Sequence, residues 1–138
     1  MMMDAFHLNL WAVLVAGIIN MVVGSVWYMP AVFGTIWMRE IGMKPGAPMG
    51  DGMAKSYGIT FIGALVMGYV TSLIIHYAGA TTVAEGLKVG LWLWLGFAVT
   101  IPLNDVVFGK KTVTLYSLNA AYYLVVILLT SMMLAVWR

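Results

Sequence analysis

The chain is 138 residues long, 63% apolar and 9% charged, with a formal net charge of +2, where a soluble domain would carry about 25% charged residues. No Asp, Glu, Lys or Arg occurs from Ala5 to Met38, from Ser56 to Ala84, from Val89 to Asn104, or from Thr112 to Trp137. Three of these runs exceed the roughly 20 residues needed to cross a hydrocarbon core, which excludes a soluble enzyme, a nucleic-acid binder and a disordered segment.

In chain order, the first span is expected from about Leu8 to Tyr28. It has no Lys or Arg before its apolar run and ends in Trp27-Tyr28-Met29-Pro30, so it reads as a retained helix and not a cleaved signal. Pro30 lacks an amide donor and discourages continuation. Ala31 to Ile41 then places Val32, Phe33, Ile36 and Trp37 at helical spacing before Arg39-Glu40, the pattern of a short helix in the headgroup plane. Gly42 to Gly52, with Pro45 and Pro48, is the longest loop. The second span covers about Ser56 to Tyr77 and is closed by Gly79. Between Lys88 and Asp105 the uncharged run is too short for a full crossing at about 1.5 Å per residue. The third span must therefore start near Val83 or Ala84, which puts Glu85 and Lys88 in its first turn, where they can pair. The fourth span is about Thr112 to Trp137. The expected fold is all-α: a polytopic membrane protein of four transmembrane helices with a short interfacial segment after the first, one domain over residues 1–138.

Trp11, Tyr77 and Trp137 fall toward one membrane face, and Trp27, Tyr28, Trp37, Tyr57 and Tyr116 toward the other, as amphipathic rings do at interfaces. Trp92 and Trp94, two apart, must point to nearly opposite sides of their helix, one to lipid and one to the bundle. Arg39, Lys44, Lys55, Lys110 and Lys111 flank the loops after spans one and three, against Lys88 and Arg138 opposite. That bias places both loops in the cytoplasm and both termini outside the cytoplasmic (inner) membrane. The chain also repeats itself. Val32-Phe33-Gly34 is echoed by Val107-Phe108-Gly109, and spans two and four align through Tyr57 with Tyr116, Leu65-Val66 with Leu124-Val125, and Thr71-Ser72 with Thr130-Ser131. If this repetition is genuine, the halves 8–79 and 83–138 are expected to form a two-plus-two tandem repeat about an axis along the membrane normal.

Asn20-Met21-Val22-Val23-Gly24, Trp27-Tyr28-x-Pro30 and Phe33-Gly34-x-x-Trp37 resemble the small bacterial membrane proteins of the domain of unknown function 1761 family. Trp94-Leu95-Gly96-Phe97, Phe108, Asn119-Ala120-x-Tyr122 and Ala135-x-Trp137 are similar to its later parts. Such proteins often carry a second tryptophan before the last helix, where this chain has Lys110-Lys111-Thr112-Val113. The resemblance implies a four-helix membrane protein and no particular activity.

Polar residues inside a bilayer are the first functional candidates. Asn20 shares a face with Ala12, Ala16 and Gly24 at four-residue intervals, so it serves either close helix packing with one interhelical hydrogen bond or contact with a solute. Counted from the span ends, Asn119 lies at a similar depth, so the two amides are expected to meet between helices one and four, with Tyr122 and Tyr123 on the next turn. Asn20, Asn119 and Tyr123 are the candidate binding residues. His7 and His76 sit at one level and could ligate a haem or chlorin, but each reads more simply as a lone interfacial histidine. Met38, Met43, Met49 and Met53 carry soft thioethers without regular spacing or a supporting Cys or His. Gly86-x-x-x-Gly90 matches a helix-pairing motif at a helix start, where it weighs less. Asp105 reads as a helix-end residue. Cysteine is absent, no catalytic constellation forms, and no cofactor or metal is expected.

Two functions remain. The first is a non-enzymatic structural or accessory bundle, embedded in the lipid bilayer, that self-associates or joins a larger membrane complex and touches no nucleic acid. The alternative is a small transporter or channel for a neutral solute or anion. Proton coupling through a buried carboxylate is unavailable, because the mid-helix position of span one is Asn20.

Overall fold

The computed structural model describes residues 9–40, 53–109 and 111–137. Helix α1 spans Leu10–Trp27 and is capped by Asn9, whose side chain accepts from Trp11 N at 3.1 Å and Ala12 N at 3.2 Å. That satisfies two of the donors a helix start leaves free. Beyond Trp27 the chain turns through a π-helical segment, Pro30–Gly34, closed by Gly34 N to Met29 O at 2.8 Å, and continues as α2, Thr35–Glu40. Only glycine fits at position 34, because a Cβ there would lie 2.2 Å from the Tyr28 carbonyl oxygen. The expected headgroup-level segment is thus a tight corner followed by one and a half turns of helix.

Helix α3 runs Met53–Ala78, and the chain reverses after it at Gly79, where φ is 70°. Helix α4, Val83–Leu93, starts on a Thr82 cap. The Thr82 hydroxyl accepts from Glu85 N at 3.1 Å, and the Glu85 carboxylate in turn accepts from the Thr82 hydroxyl at 3.1 Å. Glu85 also accepts from Thr81, so its partners are the capping threonines and not Lys88. The local cap is closer and its geometry is fixed by the backbone.

The third span departs from a plain helix. After α4 it passes through a second π-helical segment, Trp94–Ala98, then a turn, then α5, Leu103–Val107. Pro102 cannot donate to the preceding turn, and the bonds Val99 N to Trp94 O and Ile101 N to Phe97 O, each 3.0 Å, carry the chain past it. Helix α6 spans Val113–Val136 on a Thr112 cap. The Thr112 hydroxyl also donates to Glu40 at 2.6 Å, tying the end of α2 to the start of α6. Four stretches are long and apolar enough to cross a membrane: Leu10–Trp27, Lys55–Ala78, Val83–Val107 and Val113–Val136. The fold is all-helical among the described residues, and these spans make it a membrane protein.

Small residues set the helix contacts. The most extensive are α4 against α6 and α1 against α3, and α6 also packs on α1 and α3. Ala12, Ala16 and Ala64 are buried where α1 meets α3. Gly86 and Gly90 are both buried against α6, and a Cβ at Gly86 would lie 2.6 Å from the Ser131 carbonyl oxygen. The glycine pair at the start of α4 thus lets α4 and α6 approach closely. Close approach matters here because helices in lipid associate by packing and polar contacts, without a hydrophobic drive between them. Ala12, Ile75, Ala80, Leu134 and Ala135 form an apolar core at the Gly79 end. Thr71, Ser72, Thr130 and Ser131 are buried beside that core, and toward the opposite end of α1, α3 and α6 Asn20, Tyr28, Asn119 and Tyr122 bond one another.

Candidate functional site

The face of α1 that carries Ala12, Ala16, Asn20 and Gly24 points inward, and its lower half meets α6. Asn20 is buried. Its side-chain oxygen accepts from the Tyr122 hydroxyl at 2.5 Å, and the same hydroxyl lies 3.1 Å from the Asn20 backbone oxygen. Asn119, half-buried on α6, accepts from the Tyr28 hydroxyl at 2.5 Å. The expected amide-to-amide contact is therefore replaced by two crossed pairs, each joining an asparagine on one helix to a tyrosine on the other.

The reason is geometric. Along α1, Asn20 and Tyr28 are eight residues apart, about 12 Å, whereas Asn119 and Tyr122 on α6 are three apart, about 4.5 Å. Helical side chains lean toward their own N-terminus, so the long Tyr28 ring reaches inward along α1 to Asn119 and covers most of the difference. Tyr122 then stands level with Asn20. Gly24 makes room for it, since a Cβ there would lie 3.1 Å from the Tyr122 hydroxyl.

Aromatic rings extend this arrangement. Trp37, Tyr28, Tyr122 and Tyr123 form a chain with successive centroids 5.4, 5.4 and 5.1 Å apart, spacings at which tilted rings attract one another. Trp27 packs on Phe33 at 4.7 Å and its indole N–H donates to Leu118 O at 3.2 Å. The Trp27-Tyr28-x-Pro30-x-x-Phe33-Gly34-x-x-Trp37 motif is thus the device that docks the α1–α2 corner onto α6.

Between α1, α2, α3 and α6 lies a cavity of about 920 Å³. Asn20, Ser25, Tyr28, Ser56, Tyr57, Thr60, Tyr122 and Tyr123 supply its hydrogen-bonding groups, and Trp37, Met21 and Met67 also line it. No Asp, Glu, Lys, Arg or His is among its described lining residues. The volume falls in the range of about 300–1,000 Å³ common to small-molecule sites, and a few polar groups on an otherwise apolar wall are what such sites use to orient a ligand. An uncharged wall gives an ion no compensation for lost hydration, so the arrangement can hold a neutral, hydrogen-bonding molecule.

Two of the three candidate residues, Asn20 and Tyr123, line this cavity; Asn119 acts behind it by holding Tyr28. Tyr122 and Tyr28 also belong to the candidate site and are not among the three residues expected from the sequence. The sequence offers Tyr28 as an interfacial ring and motif residue and Tyr122 as a motif residue on the turn after Asn119, and the three-residue spacing from Asn119 puts Tyr122 on the same face. Of the other candidates, His76, Asp105 and Trp92 are not among the lining residues. His76 Nδ1–H donates to Ser72 O at 2.8 Å within α3, and His7 lies outside the described residues. So do Met43 and Met49, and no group of three or more His, Cys, Asp or Glu suited to a metal occurs among the described residues. Asp105 lies at the start of α5 with Lys111 at 3.7 Å, both exposed. Trp92 is exposed while Trp94 turns inward and donates to Ala120 O at 2.8 Å, as their two-residue spacing required.

The fold and this site define a small all-helical membrane protein with an uncharged polar cavity. The chain belongs to the family described as Protein of unknown function (DUF1761), whose model matches residues 11–135. No curated protein and no solved structure matches it.

Proposed function

We propose that this protein binds a small, neutral, hydrogen-bonding ligand in the cavity between α1, α3 and α6, as a non-enzymatic carrier or path in the membrane. The observation that carries this reading is that Asn20 and Tyr122, bonded across the α1–α6 contact, also border a cavity together with the exposed Tyr123. The paired tyrosine hydroxyls and amides each keep lone pairs or N–H groups for a ligand, and the described lining residues carry no charge. An anion, the other solute class the sequence admits, finds no cation among the described lining residues and is disfavoured by that fact. The accessory reading, with self-association or membership of a larger complex, draws on exposed span surfaces such as Ile59, Ile62 and Val66. Lipid covers such surfaces equally well, so it ranks second. The basic residues after spans one and three support a cytoplasmic-membrane location with the α2 end of the cavity toward the cytoplasm and both termini outside.

Saturation-transfer NMR on the detergent-solubilised chain tests the reading with uncharged polyol and amide probes beside carboxylate and ammonium probes of equal size. Saturable transfer to the neutral probes, weakened in Asn20→Leu and Tyr122→Phe, is the expected outcome. Equal transfer to all four classes, or none that saturates, would contradict it.

A further inference from the structure

Met67 on α3 and Tyr123 on α6 each line two cavities. One is the polar cavity described above. The other, of about 500 Å³, lies between α3 and the broken third span, against α6. Apart from the Thr71 and Tyr123 hydroxyls its side-chain lining is apolar, and Val70, Phe97 and Ile101 on its rim are exposed on the outer surface of the spans. It is a groove that opens sideways, toward where lipid tails lie.

The groove has a structural origin. The third span is fastened to α6 and hardly to α3: Trp94 donates its indole N–H to Ala120 O at 2.8 Å, and the Tyr116 hydroxyl donates to Val99 O at 2.6 Å. These bonds hold the π-helical segment and the turn before Pro102 against α6 and leave a gap on the α3 side. The flexible Met67 side chain and the Tyr123 ring border both the apolar groove and the polar cavity. A thioether side chain with three rotatable bonds moves aside readily.

From this continuity we infer that the ligand is an uncharged, hydroxyl-bearing amphiphile, its polar head bonded by Asn20, Tyr122 and Tyr123 and its hydrocarbon tail passing Met67 into the α3–third-span groove. The inference rests on the polar cavity being a binding site, and it adds the tail. A phosphate-bearing head is disfavoured by the absence of any cation among the described lining residues. A tail gains little by leaving one hydrocarbon environment for another, so the head supplies the affinity. The groove selects molecules that enter from the bilayer and sets where the tail lies.

The test uses the full chain in liposomes, with a 1-monoacylglycerol carrying a mid-chain diazirine as photoprobe and a diazirine alkane without a head as control. Labelled positions are mapped by mass spectrometry. The expected result is saturable labelling concentrated on Met67, Val70 and Phe97, competed by unlabelled monoacylglycerol and not given by the alkane. Filling the groove with Val70→Trp, or from the opposite wall with Ile101→Trp, lowers that labelling about tenfold, equivalent to about 1.4 kcal/mol. Both positions already face lipid, and helicity by circular dichroism checks that each variant is folded. Asn20→Leu lowers the labelling as well. Labelling spread evenly over lipid-facing residues, or equal for the alkane, overturns the inference. If polyol probes bind the polar cavity while both tryptophan variants label like wild type, the head site stands and the tail assignment fails. If neither probe class binds saturably, the cavity reading fails with it.

Discussion

Removing the hydroxyl of Tyr122 should destabilise the protein more than removing the amide it bonds. The hydroxyl donates to the Asn20 side chain at 2.5 Å and has the Asn20 backbone oxygen as a second acceptor at 3.1 Å. In Asn20→Leu that backbone acceptor remains, and an apolar group replaces the amide. In Tyr122→Phe the ring contacts with Tyr28 and Tyr123 persist, but the oxygen of the buried Asn20 amide loses the Tyr122 hydroxyl as its donor. Leaving such a group unsatisfied costs about 1–3 kcal/mol. The amide borders a cavity that water or ligand can share, which places Tyr122→Phe toward the lower end, about 1 kcal/mol. Asn20→Leu should cost less than about 0.6 kcal/mol, the average found for interhelical hydrogen bonds in membranes. Reversible unfolding by sodium dodecyl sulfate in mixed micelles, followed by far-ultraviolet circular dichroism, gives both values, and the double variant gives their coupling. A larger loss in Asn20→Leu than in Tyr122→Phe, or zero coupling, would refute the reasoning.

Three further outcomes are expected. Gly86→Ala puts a Cβ 2.6 Å from the Ser131 carbonyl oxygen, so α4 and α6 must separate, at about 1–3 kcal/mol by the same unfolding assay. Gly34→Ala meets the Tyr28 carbonyl at 2.2 Å and should open the α1–α2 corner, seen as faster proteolysis there and altered tryptophan fluorescence from Trp27 and Trp37 while the four long helices persist. Single cysteines replacing Lys44 and Lys110, both outside the described residues, should resist an impermeant thiol reagent in intact cells. Ready labelling from outside would reverse the proposed orientation.

Hydropathy made the spans legible because a bilayer imposes length and apolarity on any helix that crosses it. The observed α1, α3 and α6 differ from their expected ranges by no more than about three residues. The two π-helical segments were not legible. Each adds a single residue to a helical turn, too small a change to disturb a hydropathy pattern, and Pro30 and Pro102 announced only that something must give way. The same holds within the site. Counting along each helix fixed the depth of Asn20 and Asn119, but depth alone leaves rotation about the axis and side-chain reach undetermined. Tyr28 won the contact with Asn119 because its ring is long and leans inward along α1. Glu85 likewise preferred the threonines of its own cap to Lys88, since a cap is built by the backbone and a surface ion pair is not.

The central claim is that the polar face of α1, α3 and α6 borders an accessible cavity, and the absence of cysteine from the chain permits a clean measurement. Single cysteines at Ser25 and Thr60 would line the cavity, whereas one at Ile59, the neighbour of Thr60, would face outward at nearly the same depth. Rates of reaction with a water-soluble methanethiosulfonate should be high for Ser25→Cys and Thr60→Cys and low for Ile59→Cys in proteoliposomes, with the first two slowed by an uncharged polyol. Equal, slow rates at all three positions would contradict the account.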